Sequence, residues 1–343
     1  MRGLANRLAA QRDVPIEFWG WAGEQPLEIA APHSALWLPR IRMPEYRGAW
    51  IFAQFAMKRS ASQSTVRAVH ITDPDALTTL GNRTVMTTVY DLIPFREGIS
   101  PRRVLAWAGY RAYLGMLRRA STLFAISNQT ASDITNLLGV PPARIVLVPP
   151  GIEPQTANAA PRDNRRPYFL FIGGPNPNKN LSTLLDAMAI STELEEELVI
   201  TGHWLPKQLA GLNANLRNSG LHQRVHHLGF VPASDLPGLM HDATALIIPS
   251  RDEGFGLPVG EGLAAGAVVI HSRIPVMHEV SGGAALTFDA GSADELAARM
   301  RQVARDETLR EGMRERGRER AQHLTWDAGV KRTLETYEAV LKG

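Results

Sequence analysis

The sequence predicts a doubly wound α/β fold built twice, and three observations carry that expectation. Short apolar, β-branched runs alternate with helical stretches along most of the chain. The runs are continuous rather than alternating, the pattern of strands buried on both faces of a parallel sheet. A stretch rich in Pro, Asn, Ala and charge, PPGIEPQTANAAPRDNRRP at 149–167, has no period and reads as a linker between two sets of such runs.

The first set comprises VPIEFWG (14–20), VRAVHI (66–71), TVMTTVY (84–90), STLFAIS (121–127) and RIVLVP (144–149). The second comprises YFLFIGG (168–174), ELVITG (197–202), RVHHLGF (224–230), TALIIPS (244–250) and AVVIHS (267–272). Helical patterns between the runs place the chain in the α/β class. The segment 100–120 reads as an amphipathic helix, with Trp107, Tyr110, Tyr113, Leu114 and Leu117 on one side and Arg111, Arg118 and Arg119 opposite. The last stretch, LTWDAGVKRTLETYEAVLKG, reads as a helix capped by Thr325 or Asp327. A length of 343 residues accommodates an N-terminal domain over 1–152 and a C-terminal domain over 165–325, with a closing helix over 326–343. Ligands of such sheets bind beyond the carboxyl ends of the strands, so a cleft between the two domains is the expected site.

Composition narrows the chemistry. The chain is 44% hydrophobic and 21% charged, as a soluble protein with a real core is. It has no cysteine, which excludes disulfides, Cys-ligated zinc and thiol nucleophiles. The opening MRGLANRLAAQRD lacks the apolar core of a secretory signal, and LAAGAVVI at 263–270 is too short to span a bilayer. A cytoplasmic location is expected. The formal charge of +3 is uneven: residues 1–150 carry 17 basic and 10 acidic side chains (+7), and residues 151–343 carry 20 and 24 (−4). The basic first half suits peripheral contact with an anionic lipid surface, and equally a merely solvated face. No basic stripe interleaved with aromatics suggests nucleic acid.

Two loops carry chemistry. DEGFGLPVGEGLAAG (252–266) follows the strand TALIIPS. Gly254 and Gly256 permit close backbone approach or positive φ, Pro258 fits a first helical turn, and Gly266 fits a helix stop. The helix start offers unpaired N–H groups and the positive end of a dipole, hence an anion site. Glu253 and Glu261 flank it, and a carboxylate can accept both hydroxyls of a ribose. The plain alternative is that Glu261 only favours the helix N-terminus. The second loop, FIGGPNPNKNLSTLLDA (171–187), runs from a strand through Gly173 and Gly174 to Lys179 and a helix, and would suit a phosphate with Lys179 as cation. It is not a Walker loop, since G-K-[ST] is missing.

These loops in this order, with LVITG, HHLGFVPASDL and HEVSGGAALTFD, resemble the retaining glycosyltransferases of family GT4, which have the GT-B fold. TTVYDLIPF and LFAISNQTASDI extend the likeness into the first half, and the C-terminal helix matches one that crosses back to the first domain in that family. The resemblance implies a nucleotide-sugar donor, GDP- or UDP-linked, and a glycan or lipid-linked glycan acceptor. It places Glu261 on the ribose and Glu253 on the transferred sugar, near its C3 and C4 hydroxyls. The amides of Gly254, Phe255, Gly256 and Leu257 would face sugar and diphosphate. Lys179 would neutralise the leaving group, with no metal or other cofactor, and Val231 would lie near the base. Surface polysaccharide or lipopolysaccharide O-antigen assembly is the pathway implied by YDLIP. With no nucleophile visible in the sequence, same-face displacement is expected, with domain closure excluding water.

Four departures from the family stand out. Gly173 occupies the place of an arginine six residues before the lysine, and Asn178 that of another. Arg251 is then a candidate replacement cation. Tyr90 stands where the family has a histidine, followed by the acceptor-side Asp91, and a phenol does not titrate near neutrality. The family's first strand and glycine turn are absent, so a start upstream of Met1 is expected. A nucleotide-sugar epimerase and a non-catalytic nucleotide-binding partner share the fold and stand as alternatives. Asp73-Pro74-Asp75 reads as a turn rather than a metal motif, and His222, His226 and His227 offer no clear carboxylate partner for a metal.

Overall fold

The computed structural model describes residues 4, 7–8, 16–21, 34–38, 67–72, 83–96, 113–155 and 166–342. The chain divides into two compact units, residues 1–151 with 326–343, and residues 152–325. Asp73, Asp75, residues 100–112 of the amphipathic stretch and residues 156–165 of the linker lie outside the described residues.

The first unit holds β1 (Glu17–Trp21) and β2 (Ser34–Leu38), a parallel pair. The second of these is a strand that the sequence reading lacks. A four-stranded parallel sheet in sequential order follows, from β3 (Ala68–Ile71), β4 (Thr84–Val89), β5 (Thr122–Ala125) and β6 (Ile145–Leu147). Between β4 and β5 lies α1 (Ile93–Arg96), and after β5 comes α2 (Asn128–Leu138). Ser127 caps α2 by accepting the Thr130 N–H at 3.1 Å. Of the arginine face predicted for 100–120, Arg118 and Arg119 are exposed, while Tyr113 and Leu117 are buried, as an apolar core stripe requires.

The C-terminal helix Asp327–Lys342 belongs to this unit. Trp326 and Val330 pack with Leu4 and Leu8. Arg332 donates to the Leu147 carbonyl at 2.9 Å. Tyr337 reaches the sheet through His70, whose Nδ1 lies 2.6 Å from the phenol and whose Nε2 lies 2.7 Å from the Thr88 hydroxyl. Burial pushes the His70 pKa down to about 3, so this link runs through a neutral imidazole.

The second unit is one six-stranded parallel sheet. Its strands are β7 (Tyr168–Ile172), β8 (Glu197–Thr201), β9 (Val225–Gly229), β10 (Ala245–Ile248), β11 (Val269–Ser272) and β12 (Leu286–Phe288), in spatial order β12-β11-β10-β7-β8-β9. β12 is a second strand that the sequence reading lacks. Every residue of β10 and β11 is buried, which is why these runs read as continuously apolar. Helices Leu181–Ile190 and Ala293–Arg305 close one another, and the buried Leu296, Ala297, Met300 and Val303 recur at helical spacing on the core side. The strand order runs outward from β7 to β9, then returns to the other side of β7 with β10. The topological switch point therefore lies between β7 and β10, and the loops leaving their carboxyl ends are where a ligand site belongs.

Candidate active site

The two loops singled out from the sequence are those two loops. The first leaves β7 through Gly173 and Gly174, both half-buried. A single 3₁₀ turn, Pro177–Lys179, precedes helix Leu181–Ile190. Asn180 joins them in the left-handed conformation, φ 52°, and is the one non-glycine with positive φ among the described residues. Asparagine tolerates this region better than most residues. Its side chain is 2% exposed and fully engaged. Nδ2 donates to the carbonyls of Pro249 (3.0 Å) and Ala290 (2.8 Å), and Oδ1 accepts from Thr183 Oγ1 (3.0 Å) and Arg251 Nε (3.1 Å). One buried amide thus ties the loop after β7 to those after β10 and β12.

That tie brings Lys179 to Glu253. Lys179 Nζ lies 2.6 Å from Glu253 Oε1, although the two residues are 74 positions apart. Ser250 Oγ donates to the same oxygen at 2.7 Å. The sequence reading gave Lys179 and Glu253 separate tasks, and in this structure they form one ion pair. Arg251 is exposed, with its backbone N–H on the Asn178 carbonyl at 2.8 Å.

Beyond Glu253 the chain turns into helix Leu257–Ala264. Gly256 is its N-cap at φ 93°, a conformation that glycine supplies without steric penalty, whereas Gly254 does not take positive φ. Pro258 stands in the first turn, and Phe255, 5% exposed, anchors the turn in the core. At the far end Gly266 takes φ 72°, and the Ala267 N–H returns to the Gly262 carbonyl at 2.9 Å. The backbone N–H groups of Phe255, Gly256 and Leu257 have no partner among the described residues. They stand where the helix dipole is positive.

Glu261 lies one turn into this helix. Burial raises its pKa, and no hydrogen bond or ion pair reaches its carboxylate among the described residues. Val231, past the end of β9, is half-buried. The sequence gave no warning of Trp204, whose Nε1 donates to the Gly173 carbonyl at 3.1 Å and whose ring meets His227 edge-on at 5.6 Å.

In the first unit, Tyr90 and Asp91 follow the carboxyl end of β4. The Tyr90 phenol donates to the Thr72 carbonyl at 2.7 Å, so its proton is already committed. Asp91 Oδ1 accepts the Ile93 N–H at 3.1 Å and opens α1. Asp133, which the sequence reading passed over, is 6% exposed and pairs with Arg96 Nε at 3.3 Å. Burial outweighs that pairing and raises the Asp133 pKa. One expectation is corrected: His226 does have a carboxylate partner, Glu197 Oε2 at 3.1 Å. His226 lies on the edge strand β9 and Glu197 on its neighbour β8, and no group of three potential ligands gathers among the described residues.

Comparison with known proteins follows the same division. The profile of the family described as Glycosyl transferases group 1 matches residues 153–320, and that of Glycosyltransferase Family 4 matches residues 1–156. The chain belongs to this glycosyltransferase family. Among its relatives is the O-antigen chain mannosyltransferase B of Escherichia coli, 28% identical over 237 residues, which cover 65% of this chain and 61% of the relative. The D-inositol 3-phosphate glycosyltransferase of Jonesia denitrificans is 28% identical over 65% of this chain and 58% of its own. The chain therefore spans less than two thirds of the length of these relatives. Sucrose-phosphate synthase from Thermosynechococcus elongatus superposes with a TM-score of 0.80 at 19% identity, over 98% of this chain and 91% of its own. WaaG, a glycosyltransferase of lipopolysaccharide biosynthesis, does so at 0.74 and 16% identity, over 97% and 93%. The fold of the chain is GT-B.

Proposed function

We propose that this chain is a retaining glycosyltransferase that moves a sugar from a nucleoside diphosphate to an acceptor hydroxyl. The observation that carries the reading is the Lys179–Glu253 pair beside an open helix start, with Glu261 one turn into that helix, on the loops leaving β7 and β10. The diphosphate would lie against Lys179 and the N–H groups of 255–257, with Arg251 supplying further positive charge. Glu261 would accept the ribose hydroxyls, and Glu253 those of the transferred sugar. Val231, Gly173 and Gly174 would line the rest of the donor site. Tyr90 and Asp91 would serve the acceptor.

The reaction in this reading is a same-face displacement. The glycosidic C–O bond to the diphosphate breaks while the acceptor oxygen bonds to the same carbon, and the departing phosphate oxygen takes the acceptor proton. Positive groups already in place where charge develops on the leaving group lower the barrier. Lys179 and the helix amides supply that charge without a resident metal. The names of the relatives, O-antigen mannosyltransferases among them, support a glycan or lipid-linked glycan acceptor in surface polysaccharide assembly. The excess positive charge of residues 1–150 supports a meeting with that acceptor at an anionic membrane surface. No helix among the described residues is long and apolar enough to cross a membrane.

The test is turnover of a panel that includes GDP-mannose and UDP-glucose, with and without glycan acceptors. Acceptor-dependent release of nucleoside diphosphate, unchanged by EDTA, is expected. Interconversion of the donor without an acceptor would favour an epimerase and defeat the reading.

A further inference from the structure

The clasp on Glu253 includes a residue that the donor assignments leave unused. Ser250 is the second residue past β10 and is completely buried. Its hydroxyl donates to Glu253 Oε1, the oxygen that also takes the Lys179 ammonium. Among the described residues nothing bonds to Oε2. One carboxylate oxygen is held twice and the other is left for a ligand.

Ser250 is itself held. Its carbonyl accepts from Ser272 Oγ, another fully buried group at the end of β11. Next to Ser272, His271 is also fully buried, with Nδ1 2.8 Å from the Ser272 carbonyl and Nε2 3.0 Å from Ser281 Oγ. Hydrogen bonds therefore connect the ends of two strands and helix Pro275–Ser281 to one carboxylate oxygen. A side chain locked by such a chain loses little freedom on meeting its ligand.

We infer that Ser250 is a positioning residue for Glu253, fixing Oε1 so that Oε2 faces the hydroxyls of the transferred sugar. This inference rests on the donor reading given above. It goes beyond it because Lys179 cannot fill the same role alone. When a diphosphate arrives, the ammonium is shared with the phosphate oxygens, whereas the completely buried Ser250 hydroxyl stays on the carboxylate. Ser250 keeps Glu253 oriented while the charge of Lys179 is engaged elsewhere.

The experiment compares Ser250→Ala and Ser250→Cys with the wild-type chain. Calorimetry gives affinities for the nucleotide-sugar and the free nucleoside diphosphate, and steady-state kinetics give kcat and KM. Ser250→Ala is expected to lower kcat by about tenfold to hundredfold, the range for losing a hydrogen bond to a charged group. It leaves the free nucleoside diphosphate affinity within about twofold, since that ligand has no sugar for Glu253 to hold. Ser250→Cys, with a weak donor of similar size, falls between, and it carries the same comparison if the alanine variant does not fold. An unchanged kcat in Ser250→Ala overturns the inference, as does an equal loss of affinity for both ligands, the mark of a merely structural residue. The wild-type control separates the two levels: no nucleotide-sugar turnover there overturns the donor reading and this inference with it, whereas turnover that Ser250→Ala leaves intact overturns the inference alone.

Discussion

Lys179→Ala is expected to lower kcat/KM for the nucleotide-sugar by about 10²–10³-fold, the loss seen when one preorganised group is removed from developing negative charge. The lysine has two tasks in this structure. In the proposed donor site its ammonium would face the diphosphate, and in this structure it clasps Glu253 at 2.6 Å. Removing it weakens the leaving group and loosens the sugar contact together. Lys179→Ala with Glu253→Ala is then expected to lose much less than the product of the two single effects, because each variant already breaks the shared contact. The fold should barely notice. Pairs near the surface contribute about 1 kcal/mol or less, and these side chains are 27% and 15% exposed. Steady-state kinetics with a denaturant titration check both parts. Wild-type turnover in Lys179→Ala would remove the lysine from the reaction.

Glu261→Gln is expected to move activity and stability in opposite directions. An amide keeps one acceptor oxygen of the two, so the ribose loses a charge-assisted hydrogen bond and donor KM rises by about tenfold to hundredfold. The ribose is remote from the breaking bond, so the effect falls on KM more than on kcat. Stability changes the other way. Burial raises the Glu261 pKa, with no compensating cation among the described residues, so the folded protein binds this proton more tightly than the unfolded chain does. The wild-type chain is therefore most favoured below the ordinary glutamate range and loses stability as pH rises through the raised value. At neutral pH the glutamine variant should melt higher than wild type, and the gap should close as the pH falls toward the ordinary glutamate range. Thermal unfolding across pH 4–7.5, about the window that brackets a carboxylate with raised pKa, measures the gap. A gap that is absent at neutral pH would mean that the carboxylate is not desolvated as the structure places it.

Most strands were legible because their two faces are buried, and burial leaves a local signature. The runs at 168–174 and 244–250 announced β7 and β10 for that reason. Leu286–Phe288 escaped because it is a three-residue edge strand with only Phe288 fully buried, whereas Ser34–Leu38 is as long as β7 and escaped without a comparable reason. The two loops at the switch point, which carry the proposed donor site, were singled out from glycine, proline and carboxylate spacing. What the spacing could not show is who pairs with whom. The Lys179–Glu253 contact, the buried amide of Asn180 and the His226–Glu197 pair all join residues distant in sequence, and each depends on strand order rather than on local pattern. Ser250 went unnoticed for a related reason: as a lone serine at a strand end it has no sequence signature, and only its 2.7 Å contact with Glu253 gives it meaning.

The proposed nucleotide-sugar cradle is the open helix start between Glu253 and Glu261. A crystal structure with a bound nucleotide-sugar tests it most directly. The ribose hydroxyls are expected on Glu261, the diphosphate against Lys179 and the amides of 255–257, and a sugar hydroxyl on Glu253 Oε2. A nucleotide bound elsewhere on the chain, or one in this loop with its ribose turned away from Glu261, would contradict it.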